Sequence, residues 1–308
     1  MTNARDMWSF LLLCLIWGST WIGIKAGLET VPPLFLAGSR FAVAGLVLIA
    51  IERSRTKRGI DRADWLRIVS VSVALIGLCY GLLFWGMLYI DSGTAAVLEM
   101  GLVPIALLGF AVLSGDEHAS ARKLLALAIG LGGLTFLFGP DAMTAWRSTD
   151  GAAAERVVGA LAVASAALVY GWGSVLSRPL LNKYPTMLIS GVTTLIGGIL
   201  LLATSFAIEP GAGRALKGDW GLEAWTGWLF LVIGGSLIGY SVYMRLLRDI
   251  GASRAGMYAF VSPVIAVALG AFIRSEALTW SKSIGMIVLL SAAWLAMKPL
   301  EAVGRQKS

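Results

Sequence analysis

The sequence predicts an all-α integral membrane protein of ten transmembrane helices, arranged as two inverted five-helix repeats around a central cavity. Three observations predict it: an apolar composition, ten apolar runs of membrane-spanning length, and a self-similarity that divides those runs into two sets of five. Of 308 residues, 57% are hydrophobic and 14% charged, with a mean hydropathy of +0.80. A soluble globular chain has about 45–50% apolar and about 25% charged residues, so a water-soluble enzyme is excluded. The 37 glycines are scattered through apolar runs, which excludes disorder as well. The formal charge of +7 does not point to nucleic acid, because the basic residues sit in short patches between apolar segments.

A bilayer core needs about 20 mostly apolar residues per helix. Runs of that kind, bounded by charges, Gly or Pro, fall at 8–28, 33–51, 66–90, 92–113 and 121–138 in the first half. In the second half they fall at 157–178, 184–206, 225–247, 252–273 and 279–298. The first run follows a weakly basic start and superficially suits a signal peptide, but its polar interior (Ser19, Thr20, Lys25) and the spans after it predict a retained helix. The connections are short and leave little chain for a soluble domain. Counting Lys and Arg on alternate sides gives 17 with the N-terminus, against seven on the other side and Arg40 within span 2. The positive-inside rule therefore predicts both termini in the cytoplasm. Trp65 near one face and Trp146, Trp220, Trp225 and Trp280 near the other are expected as interfacial anchors.

Residues 92–140 align without gaps onto 251–299 at an offset of 159, pairing Pro104 with Pro263, Glu117 with Glu276, Lys123 with Lys282 and Pro140 with Pro299. The same offset reaches back to Phe84 and Tyr243. Earlier in the chain an offset of 153 pairs Pro32 with Pro185, Gly18 with Gly171, Trp17 with Tyr170 and Lys25 with Arg178. The six-residue difference falls in the connection after span 2, where insertions are tolerated. The repeats are 8–140 and 157–299. Five spans is an odd number, so the second half enters the membrane from the opposite side. Inverted repeats of this kind build many secondary transporters, with the substrate near the midplane between the halves.

Ile16-Trp17-Gly18-Ser19 with Lys25, Pro33 followed by Arg40-Phe41, Pro104 with Glu117, and Val261-Ser262-Pro263 with Glu276 resemble the drug/metabolite transporter superfamily, EamA family, over about residues 9–299. The resemblance implies a bacterial inner-membrane carrier of two EamA repeats. It also implies a cavity lined mainly by spans 1, 3, 4, 6, 8 and 9, with spans 5 and 10 packed outside. Within the family the chain is similar to the YddG type of amino-acid exporter. That likeness implies a monomeric carrier exporting aromatic and neutral amino acids and related metabolites by alternating access.

Glu99 and Arg40 each lie seven residues from the outer end of their spans, about 10 Å deep at about 1.5 Å per residue. A lone charge in hydrocarbon costs several kcal/mol, so each needs a partner or water. One reading pairs the two as an ion pair, or has Arg40 cap backbone carbonyls. The other turns Glu99 into the cavity to meet a substrate ammonium or a proton, and keeps Arg40 and Lys25 as buried structural charges. The offsets relate Trp17 to Tyr170, Phe84 to Tyr243 and Glu99 to Tyr258, and these are expected to ring the cavity. Tyr80 joins them four residues before Phe84 on one helix face. Pro104 and Pro263 each remove a helical hydrogen bond and are the expected hinges. Glycines at 130, 132, 133, 197 and 198 suit close helix packing.

The competing function is a proton-coupled drug or organic-cation antiporter with Glu99 as its acid. A membrane enzyme would need clustered His, Cys or paired acids at depth. This chain has Cys14 and Cys79 in apolar runs and a single His118 in a polar connection, so no catalytic centre, metal or cofactor is expected. The absence of a phosphate-binding Gly-rich loop argues against ATP as the direct energy source. The expected partners are a small-molecule substrate and the lipid bilayer.

Overall fold

The computed structural model describes residues 3–55, 59–90, 92–148, 153–274 and 279–297. Ten helices in it are long and apolar enough to cross a membrane: α1 (Ala4–Leu28), α2 (Pro33–Arg55), α3 (Arg62–Gly86), α4 (Thr94–Leu113), α5 (Ala121–Pro140), α6 (Ala154–Lys183), α7 (Thr186–Ile208), α8 (Leu222–Ile250), α9 (Ala252–Leu269) and α10 (Trp280–Met297). With α1–α5 in the first half and α6–α10 in the second, successive helices alternate in direction and the halves are inverted. The membrane side on which α1 begins is called here the N side, and the other the far side.

Local chemistry explains most helix ends. Asn3 caps α1, its side chain accepting from the Arg5 N–H at 3.1 Å. Pro33 opens α2, where a missing N–H costs nothing. Glu209 accepts from the Leu34 and Phe35 N–H groups at 2.8 and 3.1 Å, so an acid from the end of α7 satisfies the free donors of α2. Prolines do not always end helices: α5 continues as helix through Pro140 to Ser148, and α6 runs through Pro179 to Lys183, past the boundaries expected at 138 and 178.

Two helices depart from α-geometry at equivalent places. Residues Val73–Leu78 of α3 and Leu231–Tyr240 of α8 are π-helical, and the 159-residue offset carries the first onto 232–237, inside the second. α9 is interrupted after one turn, between Ala255 and Tyr258.

Glycine sets how closely the helices approach. A Cβ at Gly45 would lie 2.5 Å from the Leu195 nitrogen, and one at Gly38 would lie 2.8 Å from the Leu202 nitrogen, so α2 and α7 pack backbone to backbone. The offset of 153 carries Gly38 to Gly191 and Gly45 to Gly198, both also in this interface, which places the pseudo-two-fold axis through the α2–α7 pair. Gly18 on α1 meets Ile265 and Ser262 of α9, and its equivalent Gly171 on α6 meets Ala106 of α4. α5 and α10 pack on each other, with Gly133 against Leu289 and Gly285 against Leu137.

Two expectations about the surface change. Trp220 is buried in a small far-side core with Val31, Phe35 and Ala212. Its ring stacks on Trp225 at 4.3 Å and its Nε1 donates to the Ala215 carbonyl at 2.8 Å. It is a packing residue of the α7–α8 connection and no interfacial anchor, unlike the exposed Trp65, Trp225 and Trp280. The Trp146 side chain lies outside the described residues. Lys25 is exposed in the last turn of α1. It is not a buried charge, because the helix ends three residues later and its ammonium reaches the water-facing end, where the helix dipole favours a cation.

Candidate functional site

A cavity of about 120 Å³ lies between the two halves. Its wall includes five pairs of repeat equivalents: Trp17 with Tyr170, Ile76 with Gly235, Glu99 with Tyr258, Met100 with Ala259, and Val103 with Ser262. Helices α1, α3, α4, α6, α8 and α9 all contribute, while α5 and α10 do not. α2 adds Arg40 and Phe41, which the resemblance alone did not indicate.

Arg40 is 5% exposed and holds its guanidinium 4.4 Å from the centroid of Phe41 and 5.3 Å from that of Tyr80. Two aromatic rings attract a cation that has left water. Glu99 lines the same cavity from α4 and is half-buried. No ion pair joins the two among the described residues. The reading that pairs Arg40 with Glu99 therefore gives way to two side chains on separate walls of one aromatic cavity.

An aromatic cluster lies at the N-side end of this space. Trp17 packs on Tyr258 edge to face at 4.6 Å and on Tyr243 at 5.1 Å, and Tyr170 stacks on Tyr243 at 5.6 Å. Trp17 Nε1 donates to the Gly235 carbonyl at 3.2 Å, within the π-helical segment of α8. A Cβ at Gly239 would sit 2.5 Å from that nitrogen, so the indole rests on bare backbone. Tyr243 is fully buried behind the cluster, its hydroxyl 2.8 Å from that of Ser174, and it does not line the cavity. Phe84, its repeat equivalent, is not in the wall either. It rests on Tyr80, which in turn packs on Phe41, with ring centroids 6.1 and 5.0 Å apart. The other expected residues, Trp17, Tyr80, Glu99, Tyr170 and Tyr258, do line the cavity. Pro104 and Pro263 lie inside α4 and α9, one residue beyond Val103 and Ser262 of the wall.

Polar contacts tie the helices together on the N side below the cluster. Lys183 at the end of α6 bridges Asp61 and Asp64, each at 2.6 Å, and Arg178 reaches Asp116 at 3.0 Å. The Lys183 ammonium, with Tyr184, holds the Asp61 carboxyl below the usual range. Glu117, between α4 and α5, accepts from the Ser253 N–H at 3.1 Å and from the Ser253 hydroxyl, and pairs with Lys123 at 2.7 Å. It caps the first turn of α9 from the other half of the protein. Burial works to raise the Glu117 carboxyl, but Lys123 and the Ser253 donors outweigh it and hold it below its ordinary 4.5. Its repeat equivalent Glu276 lies outside the described residues.

Sequence reasoning missed Thr20, Phe41, Cys79, Tyr240 and Ser262 in the wall. The Val261-Ser262-Pro263 and Arg40-Phe41 motifs would have found Ser262 and Phe41. The others depend on helix rotation, which no pattern in the chain specifies.

A solved crystal structure 21% identical in sequence matches this fold with a TM-score of 0.78 over 96% of this chain and 97% of that one. Among sequence relatives, the uncharacterized inner membrane transporter YedA of Escherichia coli (strain K12) is 30% identical, covering 92% of this chain and 87% of its own. The uncharacterized transporter YoaV of Bacillus subtilis (strain 168) is 28% identical over 92% and 94%. The protein PagO of Salmonella typhimurium is 25% identical over 94% and 91%. Fold, cavity and relatives together define a multi-pass membrane transporter of the inverted-repeat kind. The EamA-like transporter family matches residues 6–139 and again 157–298, and the chain belongs to that family.

Proposed function

We propose that this protein exports amino acids with aromatic or neutral side chains, and related small metabolites, by alternating access, with both termini in the cytoplasm. The observation that carries the reading is the presence of one cation and one anion, unpaired with each other, in a single aromatic cavity. A zwitterion satisfies both at once: its carboxylate meets the N–H edge of Arg40, its ammonium meets Glu99, and its side chain meets Tyr80, Trp17 and Tyr258. Each charge-assisted hydrogen bond contributes about 1.5–3 kcal/mol, enough to select a solute that carries both groups. The aromatic walls supply area without demanding a particular side chain, in keeping with broad specificity. Export, as against uptake, follows from the resemblance to the YddG type.

Glu99 supports a second reading, efflux of organic cations in exchange for protons, in which the solute needs no carboxylate. Reconstitution into liposomes with labelled amino acids and cationic dyes, at several pH gradients, separates the two. Under the first reading amino acids compete for transport and Glu99→Gln weakens that competition. Flux of cationic dyes alone, dependent on the pH gradient, refutes the first reading and supports the second.

A further inference from the structure

The contacts of the N-side cluster have repeat equivalents that form no ring contact or hydrogen bond among the described residues. Trp17 reaches Gly235, Tyr243 and Tyr258. Its equivalent, Tyr170, would by the same offsets reach Ile76, Phe84 and Glu99. In an inverted-repeat protein the two end states are related by exchanging the conformations of the halves, so each contact closing one end has a counterpart closing the other. One feature marks the counterpart as prepared: Ile76 lies in the π-helical segment of α3, as Gly235 does in that of α8, so the exchanged state offers the Tyr170 hydroxyl the Ile76 carbonyl.

The exchange is not chemically symmetric. The N-side end closes over Tyr258, a neutral ring, whereas the far end must close over Glu99. We propose that Tyr170 closes the far end of the cavity over Glu99, and does so only when a cation, the ammonium of a transported solute or a proton, neutralises that carboxylate. The proposal rests on the alternating-access reading above. Sealing a lone carboxylate away from water costs several kcal/mol. Of the groups around Glu99, Cys79 and Tyr80 on α3 and Tyr258 on α9 are its neighbours, and Tyr170 on α6 and Arg40 on α2 line the same cavity. Arg40 is the one cation among them, and the Phe41 and Tyr80 rings hold it. One gate is therefore conditional on cargo and the other is not, so Glu99 couples loading to movement.

The test uses Ile24→Cys, a cavity position towards the far end, in a Cys79→Ala chain, labelled in liposomes with a membrane-impermeant maleimide. Leu222→Cys, exposed at the far-side start of α8, corrects for thiol chemistry. With Glu99 intact, labelling is expected to fall at least tenfold on adding phenylalanine or tetraethylammonium, or on acidification relative to the Leu222→Cys control, since removal of even part of that penalty shifts the equilibrium tenfold. Glu99→Gln is expected to label at least tenfold more slowly with no solute present, and Glu99→Asp at the parent rate. Adding Tyr170→Phe to Glu99→Gln is expected to restore labelling in part. Equal labelling of the parent and a monodisperse Glu99→Gln protein overturns the proposal. If Glu99→Gln does not fold, parent labelling unmoved by both solutes and by acid overturns it. The Glu99→Gln arm needs no substrate, so failure of amino acids to move refutes the export reading and leaves this result standing.

Discussion

Substituting Arg40 by Lys keeps the charge and removes the planar fork. In the structure the guanidinium is nearly inaccessible and lies 4.4 Å from one ring centroid and 5.3 Å from another. Contacts of this kind contribute about 0.5–2 kcal/mol each when desolvated, and a lysine ammonium on a flexible stem recovers only part of that. Towards a carboxylate the change is larger, because two parallel N–H donors become a single ammonium. Loss of one charge-assisted hydrogen bond, at about 1.5–3 kcal/mol, predicts a 10- to 150-fold weaker amino-acid competition. The assay is competition for transport in liposomes by an amino acid and by the amine that lacks its carboxylate. Arg40→Lys is expected to weaken the amino acid about tenfold or more while leaving the amine nearly unchanged, and Arg40→Gln to do so more strongly. An equal shift for both competitors would mean that Arg40 only shapes the cavity, and no shift for either would remove it from recognition altogether.

Three further outcomes follow from the geometry. Gly45→Ala places a Cβ 2.5 Å from the Leu195 nitrogen and should destabilise the protein by about 1–3 kcal/mol in thermal unfolding, whereas Gly132→Ala, with open space around it, should not. Glu117→Gln should lower stability by about 1.5–3 kcal/mol near neutral pH. Because the folded carboxyl is depressed below its ordinary 4.5, that advantage is present above 4.5 and disappears as the pH falls through the lower folded value, so the melting curves of parent and variant should converge in acid. Pro104→Ala and Pro263→Ala restore one backbone donor each in α4 and α9. Their transport rates should fall if these helices bend during the cycle, and unchanged rates in both would exclude the prolines as hinges.

The spans and the repeat were legible because both are written in one dimension. Hydrocarbon thickness sets the length of each apolar run, and gene-level duplication leaves prolines and acids in register. Helix ends were less legible: α5 and α6 continue through Pro140 and Pro179 where a proline normally stops a helix. Within the site, symmetry grouped Trp17, Tyr170, Glu99 and Tyr258, which share the cavity wall, but also set Phe84 and Tyr243 there, where neither lies. The offset states which residues are equivalent, and not whether both members of a pair are in the same state at once. Lys25 and Trp220 failed for a simpler reason. Depth counted along a chain cannot distinguish a side chain reaching water at a helix end from one buried beneath a connection.

The sequence alone determined that the chain is a ten-helix membrane protein of two inverted halves, since the bilayer imposes length and apolarity on every span. It also showed that very few charges lie at depth. Tertiary structure decided what those charges do. The rotation of α2 against α7, set by glycines that let their backbones touch, turns Arg40 and its neighbour Phe41 towards Tyr80 of α3. The inversion places Glu99 at the far end in the position that neutral Tyr258 holds near the N side, and these azimuthal choices come from packing between segments distant in the chain.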